Sequence, residues 1–269
     1  MLVEEPEAHL HIQVQQVFIR QAYKVLTNHK FLKQNLNFTT QLVISTHSSH
    51  IAIETTFGNL RYFKRLPEGT ECAVATSKVI NLSDVFGDSD QTNKFVTRYL
   101  QSTHCDLFFA DAAILVEGVA ESMLLPHFIR SKFPELYQRY ITILGVNGRH
   151  AHRLSPLIEK LCLPTLVITD LDPAEKEGYH KSVVPKRGEG QISGNYAIAK
   201  WLMKEKGIDK LVDYSEDKKE FSFASPYRFS IRLAYQTPVK VDFEGEEKEA
   251  IPGTFEDCLI YTNYDLFKK

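Results

Sequence analysis

The chain has 269 residues, of which 43% are hydrophobic and 25% are charged, as in a soluble globular protein of one or two domains. No apolar run approaches the length of a bilayer span, so we predict no membrane contact. The formal net charge is -2, so binding to nucleic acid would require local basic patches or bound divalent cations. The 4 cysteines are far apart and form no C-x-x-C motif, which predicts reduced thiols and a cytoplasmic location.

The first hundred residues predict a mixture of strands and helices. The opening LVEEPEAHLH is typical of a strand end that runs into a helix, and apolar positions from Leu10 to Val25 follow a helical stripe. The run QLVIS at 41–45 predicts a strand, and the apolar segments within 60–82 predict short β segments around the turn PEGT. A helical pattern covers about 93–101.

From about residue 106 the pattern is strand, helix, strand, helix, strand. The predicted elements are strand 112–118, helix 121–133 with a kink or restart at Pro126, strand 140–146, helix 153–162 and strand 164–172. This order predicts an α/β fold with a parallel sheet flanked by helices. Beyond Asp172 the sequence becomes charged and irregular, apart from a helical pattern at about 195–206.

Acidic residues stand where two of these strands end. Glu117 closes AAILV, Asp170 closes TLVIT, and Asp172 follows two residues later. Ligands of open parallel sheets bind outside the carboxyl ends of the strands, and residues two apart in extended backbone project to the same side. Glu121 lies four residues after Glu117, at the start of the next helix, so a tight turn would place both at one cleft.

A second pair with the same spacing lies near the end of the chain, where Thr254 and Glu256 contribute a hydroxyl and a carboxylate. Clustered carboxylates raise one another's pKa, so such a group needs positive charge among its members. Oxygen ligands suit Mg²⁺ or Mn²⁺, and two such ions clamp the attacking and leaving oxygens of a phosphodiester displacement. A lone D-x-D is common without a metal, but the two strand-end motifs support each other and predict a metal-dependent phosphoryl-transfer site.

Three motifs in the second half, ILVEGVAE, LGVNG and VITDLD, resemble a Toprim domain, the metal-binding fold of topoisomerases, primases and a group of nucleases. In the first half, LVEEPEAHLH resembles the Walker B strand of ABC-type ATPases, and STHSSHI resembles their switch-histidine segment. The combination resembles the OLD (overcoming lysogenization defect) family of nucleases, a group that includes the Gabija nucleases. The resemblance implies the C-terminal part of an ABC-type ATPase domain at 1–105 and a Toprim domain at 106–269, with an insert at about 176–248 and a truncated C-terminus.

The resemblance also implies a set of ligands for two metal ions. One glutamate pair would hold the first ion, and the two aspartates would hold or bridge the second, whose shell the Thr-x-Glu motif would complete. The acidic members of the set are the expected catalytic residues. The implied ligands, in the order just described, are Glu117 and Glu121, Asp170 and Asp172, and Thr254 and Glu256.

In the ATPase-like half, Glu4 would support a magnesium shell, Glu5 would polarise water as a general base, and His47 would reach the terminal phosphate of ATP. No G-x-x-x-x-G-K-[ST] loop occurs, so we expect no ATP hydrolysis by this chain alone and assign ATP to the full-length protein. The family also uses a lysine well downstream of the Thr-x-Glu motif, and Lys268 and Lys269 follow that motif too soon. The segment GEGQISGN receives no chemical role.

Two basic regions are candidates for contact with a phosphate backbone. Lys181, Lys186 and Arg187 form a basic tract that is either a contact loop or a solvated one. Arg149 follows the LGVNG strand end, which places it nearer to the expected metal ions.

Together, the residues and the resemblance predict a divalent-metal-dependent DNA endonuclease or nickase, regulated by ATP in the full-length protein and acting in phage defence or DNA processing. ABC-type ATPase halves usually pair, which predicts a homodimer through this half. Two alternatives stay open. One is a topoisomerase-like transesterase, which needs a nucleophilic tyrosine on a separate domain, and the other is a non-catalytic SMC- or RecF-like module that binds DNA or a partner.

Overall fold

A computed structural model of the chain describes residues 1–28, 41–66, 68, 73–83, 85, 91–100, 105–146, 150–176, 182–224, 227–243 and 245–267. The chain divides into two compact units, Met1–Phe109 and Ala110–Lys269. Within the described ranges, no helix is both long enough and apolar enough to cross a membrane.

The described residues of the first unit form a parallel strand pair, a separate antiparallel hairpin and three α-helices. These elements are β1 (Leu2–Glu4), α1 (Ile12–Asn28), β2 (Val43–Ser45), α2 (Ser49–Ala52), β3 (Arg61–Leu66), β4 (Thr76–Asn81) and α3 (Gln91–Tyr99). Strand β1 pairs with β2 in parallel, with Glu4 opposite Ser45, and β3 pairs with β4. The strands and helices predicted in this half are confirmed, whereas all of the predicted turn PEGT except Glu68 lies outside the described residues. Helix α1 packs against α2.

The second unit is built on one five-stranded sheet. Its elements are β5 (Ala112–Val116), α4 (Val119–Lys132), α5 (Pro134–Tyr137), β6 (Ile141–Gly145), α6 (Ser155–Leu161), β7 (Thr165–Ile168), β8 (Pro173–Ala174), β9 (Ile192–Ser193), α7 (Tyr196–Trp201), α8 (Ile208–Val212), β10 (Glu220–Phe223), β11 (Phe229–Ala234), β12 (Val239–Phe243), β13 (Glu246–Ala250), α9 (Phe255–Thr262) and α10 (Tyr264–Phe267). The sheet order is β10-β11-β7-β5-β6. All neighbours are parallel except the edge strand β10, so the predicted α/β fold with a parallel sheet flanked by helices is confirmed.

Burial explains the position of each central strand. In β5 the residues from Ala113 to Val116 are all buried, as expected for a parallel strand covered on both faces. In β11 the buried Phe229, Ile231 and Leu233 alternate with more exposed residues, which is the pattern of a strand with only one covered face. Because β5, β7 and β11 run parallel, their carboxyl ends meet at one edge of the sheet.

Several predicted boundaries differ from the structure. Helix α4 passes through Pro126 as one helix, so the predicted restart is wrong. Strand β7 ends at Ile168 rather than at 172, and α7 ends at Trp201 rather than at 206 because the chain turns through positive φ at Met203 and Lys204.

The strands after β9 were not predicted. The acidic stretch VDFEGEEKEA forms the hairpin of β12 and β13. Strands β10 and β11 belong to the main sheet although they lie within the segment that we predicted as an insert, 176–248. The proposed division into domains at 105/106 stays a prediction.

Candidate functional site

The strand-end acids come together at the carboxyl edge of the five-stranded sheet. Glu117 follows β5 directly and Glu121 lies in the first turn of α4, while Asp170 and Asp172 lie in the loop after β7. The charges of Glu117, Glu121 and Asp172 all act on Asp170, which places the four carboxylates in one cluster. We call these four residues, Glu117, Glu121, Asp170 and Asp172, the acidic cluster.

Gly118 allows the two glutamates to share this edge. A Cβ atom at position 118 would lie 2.4 Å from Glu121 Oε2, which is far inside the contact distance of real side chains. Glu121 is only 3% exposed, and its Oε2 atom is buried without a hydrogen-bond partner in the described structure. A buried carboxylate oxygen without a donor among the described residues is a candidate ligand for a cation, because burial of an unpaired charge is costly.

The two aspartates do not converge for the reason that the sequence suggested. Because β7 ends at Ile168, Asp170 and Asp172 lie beyond the extended backbone, and Asp172 has a φ of 47°. Asp and Asn tolerate this left-handed region better than most residues. A turn, rather than the pleat of a strand, therefore brings Asp172 towards Glu117.

Neutral polar side chains hold the carboxylates in place. Thr169 donates its hydroxyl hydrogen to Glu117 Oε1, and Gln236 Nε2 donates to Asp170 Oδ1. Gln236 follows β11 and is itself fixed, because its Oε1 atom accepts a hydrogen bond of 2.8 Å from the backbone N–H of Leu171. Among the described residues, no salt bridge reaches Glu117, Glu121 or Asp170.

The pKa values of two acids in the cluster are raised, as expected for buried carboxylates that have too little positive charge near them. Burial, together with the smaller effect of the neighbouring carboxylates, raises the pKa of Asp170 to about 7, although the hydrogen bond from Gln236 lowers it. Burial also raises the pKa of Glu117, against the hydrogen bonds from Thr169 and Asn195 that lower it. A cation among these groups would favour their ionised forms.

Thr254 and Glu256 lie at the start of α9, which packs against α4, the helix that carries Glu121. Both side chains are exposed, and in the described structure no hydrogen bond joins either of them to the acidic cluster. Thr254 is instead the N-cap of α9. Its hydroxyl accepts a 3.2 Å hydrogen bond from the N–H of Asp257, whose carboxylate accepts from the N–H of Thr254 at 3.3 Å.

This capping box gives a test of whether Thr254 is a cap alone or also a ligand. We expect Thr254→Val and Asp257→Ala each to lower the free energy of unfolding by about 1 kcal/mol, because each breaks the capping box. If Thr254 is also a ligand, only Thr254→Val lowers metal-dependent DNA cleavage. Chemical denaturation and a plasmid-cleavage assay measure the two effects, and an equal loss of cleavage in both variants would leave Thr254 as a cap.

The acidic cluster fits divalent cations by its chemistry. Its donors are all carboxylate oxygens, as hard cations such as Mg²⁺ and Mn²⁺ prefer, and it contains the unpartnered buried oxygen of Glu121. In the described part of the chain, no three His, Cys, Asp or Glu side chains form a group that could hold an ion as they stand. Binding would therefore require the carboxylates to exchange some of their present hydrogen bonds for an ion.

The first unit places its predicted nucleotide-binding residues at the adjoining ends of β1 and β2. Glu4 ends β1, and Glu5 follows it with a φ of 38°. Glu5 Oε1 lies 3.0 Å from Nε2 of the exposed His47. Glu7, for which no individual role was predicted, accepts hydrogen bonds from the Thr46 hydroxyl (2.7 Å) and the His47 N–H (2.6 Å), so it fixes the backbone that carries His47.

Two family models match separate parts of the chain. The family model described as "Overcoming lysogenization defect protein-like, TOPRIM domain" matches residues 108–172, the range that contains the acidic cluster. These residues are similar to the Toprim domain of the OLD family. The family model of an AAA ATPase domain matches residues 1–52, and the predicted resemblance to the OLD family is confirmed.

Two curated relatives extend this similarity beyond the Toprim domain. The chain is 29% identical over 277 residues to "Endonuclease GajA" of Bacillus cereus (strain HuB5-5), a match that covers 97% of this chain and 36% of the relative. It is 24% identical over 218 residues to "Endonuclease GajA" of Bacillus cereus (strain VD045), covering 81% of this chain and 33% of that relative. The chain thus spans about a third of the length of these relatives.

The basic residues proposed for DNA contact near the Toprim domain have other partners or lie outside the described residues. Arg187 binds Asp213 at 2.9 Å and Glu249 at 2.7 Å, so its charge is used within the protein. Lys186 lies 3.7 Å from the carboxylate of Glu189. Arg149 and Lys181 lie outside the described residues.

Two of the residues that hold the acidic cluster, both far from its acids in the sequence, were missed from the sequence. Gln236 was missed because β11 was not recognised, although the alternation in FSIRLA was a usable signal for that strand. Asn195 lies in GEGQISGN, to which no chemical role was given, yet its side chain contacts the acidic cluster. The predicted helix start near 195 agrees with the position of Asn195 as N-cap, but no local signal indicated its contact with the acids.

Proposed function

We propose that this protein is a divalent-metal-dependent DNA endonuclease or nickase of the OLD type. The observation that carries the proposal is the convergence of four carboxylates at the carboxyl edge of the sheet, within an OLD-like Toprim domain. The name of the curated relatives supports the same activity. DNA is the proposed substrate, and the metal ions would make an acidic cleft attractive to its phosphate backbone.

The residues divide into two groups of proposed ligands. Glu117 and Glu121 would hold one Mg²⁺ or Mn²⁺ ion. Asp170 and Asp172 would hold or bridge a second ion, with Thr254 and Glu256 completing its shell. When bound, two such ions activate a water nucleophile and stabilise the leaving oxygen of a phosphodiester. The protein itself contributes the orientation of the carboxylates and the partial exclusion of water around Asp170 and Glu121.

The first unit supports a regulatory role for ATP in a longer protein. We propose that Glu4 supports the magnesium shell, that Glu5 is the general base and that His47 contacts the terminal phosphate. The match of residues 1–52 to an AAA ATPase domain and the pairing of Glu5 with His47 support this assignment. A homodimer through this unit and a role in phage defence are proposed from the resemblance to the OLD family, and a cytoplasmic location from the cysteines, which are far apart and form no C-x-x-C motif.

A plasmid assay tests the proposed nuclease activity. We expect the purified chain to convert supercoiled plasmid to nicked or linear DNA in Mg²⁺ or Mn²⁺, and to leave it intact in EDTA. Relaxed closed circles, or a covalent adduct between protein and DNA, would instead indicate the topoisomerase-like alternative. If the products in metal match the EDTA background, the proposal of a nuclease is wrong for this chain.

One observation favours a second candidate, a non-catalytic module that binds DNA or a partner. The acidic cluster is held by Thr169, Asn195 and Gln236 rather than opened for an ion, and Thr254 serves as a helix cap. Titration with Mn²⁺ separates the two candidates. A nuclease site binds Mn²⁺ through Asp170 and Glu117, whereas such a module retains its DNA or partner binding when both are replaced.

A further inference from the structure

The carboxamide of Asn195 lies at the centre of the acidic cluster. Asn195 is 1% exposed, and its Nδ2 atom donates towards Glu117 Oε1 at 2.8 Å and Asp172 Oδ2 at 3.2 Å. The same nitrogen also lies 2.8 Å from Thr169 Oγ1 and 3.0 Å from the backbone oxygen of Asp170. One neutral side chain therefore contacts residues that come from the ends of both β5 and β7.

The other end of the same side chain is also fixed. Asn195 is the N-cap of α7, and its Oδ1 atom accepts hydrogen bonds from the N–H groups of Ala197 (2.8 Å) and Ile198 (3.4 Å). Because the oxygen serves the helix, the amide hydrogens must point towards the acids. Helix α7 thus sets the direction of the Asn195 amide group. The amide group in turn holds the carboxylates of Glu117 and Asp172 near each other.

The backbone around Asn195 supports the turn of Asp172. The N–H of Gly194 donates to the backbone oxygen of Asp172 at 2.8 Å, and the N–H of Asn195 donates to the buried hydroxyl of Ser193 at 3.1 Å. Asp172 has a φ of 47°, a conformation that persists only where its surroundings hold it. The segment from Ser193 to Asn195 therefore fixes both the backbone and the carboxylate of Asp172.

We propose that Asn195 is a positioning residue for the metal site, whose amide hydrogens hold Glu117 and Asp172 towards a common point. This inference rests on the proposed metal-dependent function. Without an ion, the amide supplies partial positive charge between like-charged groups that would otherwise separate. When an ion binds, the two carboxylates exchange some of their present hydrogen bonds for it, and the side chain anchored to α7 keeps them directed to the same point.

The simpler interpretation, that Asn195 is only a helix cap, predicts a different response to mutation. Ser and Asp replace Asn as N-caps with little loss of stability, because their oxygens accept the same backbone hydrogen bonds. Neither supplies two amide hydrogens to the carboxylates. Replacement by Ser therefore retains the cap and removes the contacts to the acids, without adding charge.

The test compares Asn195→Ser with Ile198→Val in the complete chain. Ile198 is fully buried in α7, so the valine loosens the packing of the same helix and leaves the amide in place. Mn²⁺ binding is followed by the loss of the free-ion electron paramagnetic resonance signal, at pH 8 and without DNA. We expect Asn195→Ser to weaken Mn²⁺ binding by about 10- to 100-fold, as is typical of the groups that orient metal ligands. Ile198→Val should bind Mn²⁺ within about twofold of the wild type.

The outcomes separate this inference from the proposed function. Wild-type protein that binds no Mn²⁺ overturns the metal proposal and this inference with it. Wild-type protein that binds Mn²⁺, with equal binding by Asn195→Ser, overturns the inference alone.

Asn195→Asp decides the question if the serine variant does not fold in EDTA. It retains the cap but places a carboxylate against Glu117, so Mn²⁺ should raise its unfolding temperature more than that of the wild type. An equal rise in the two proteins would make Asn195 a cap only.

Discussion

Asp170→Asn and Glu117→Gln should each reduce metal-dependent plasmid cleavage by at least about 100-fold. Loss of a group that merely orients a metal ligand costs about 10- to 100-fold, so loss of a ligand itself should cost at least the upper part of that range. The substitutions keep the size of each side chain and remove only its charge. Asp170 also retains an oxygen for the bond from Gln236, so we expect the fold to persist.

Glu135→Gln is the matched control, because it removes the same charge from an exposed position on α5. It should cleave plasmid at the wild-type rate. Initial rates of nicking in Mg²⁺ and in Mn²⁺, together with circular dichroism of each variant, measure the effect. If both cluster variants nick as fast as Glu135→Gln while remaining folded, the acidic cluster is not the catalytic site.

The second large effect is a dependence of the free energy of unfolding on pH that a divalent cation should remove. Burial raises the pKa of Asp170 to about 7 from an ordinary value of 3.8. The folded protein therefore keeps a proton that the unfolded chain releases at lower pH. The resulting contribution to the free energy of unfolding is fully present below about pH 4 and is lost as the pH rises through about 7. Allowing for solvent screening of a partly exposed group, we expect a loss of about 2 kcal/mol between pH 4 and pH 8 in EDTA.

Saturating Mg²⁺ should remove this loss, because an ion binds the ionised carboxylates of the folded state only. At about 100 times its dissociation constant, a ligand of the folded state adds about 2.7 kcal/mol to the free energy of unfolding. The gain in the free energy of unfolding on addition of Mg²⁺ should be large at pH 8 and small at pH 5, where Asp170 is protonated. Urea denaturation at both pH values, with Mg²⁺ and with EDTA, measures this difference.

Asp170→Asn is the internal reference for the pH experiment, since other carboxyl groups also titrate in this range. We expect the variant to lose less stability than the wild type between pH 4 and pH 8 in EDTA, and to gain less from Mg²⁺. Parallel pH profiles for the two proteins in EDTA would show that Asp170 has an ordinary pKa, and would contradict the buried, uncompensated cluster.

The local patterns of the sequence predicted much of the Toprim half correctly. The apolar run AAILV, the helix after Gly118 and the run TLVIT are local signals, and each forms the predicted element near its predicted position. The acids were found for the same reason, because Glu117 and Asp170 follow the ends of apolar strands. The boundaries were less accurate, since the end of a strand depends on its partners as well as on its own residues.

The sequence by itself determined the fold class, the resemblance to the OLD family and the acids that meet at the edge of the sheet. Only the tertiary structure decided what lies among those acids. Asn195 is 78 residues from Glu117, and Gln236 is 66 residues from Asp170. No local pattern reports such contacts, because they depend on how a loop and a strand distant in sequence pack against β7. The structure also placed Thr254 as a helix cap, since a hydroxyl near acids and a hydroxyl at an N-terminus have the same sequence signature.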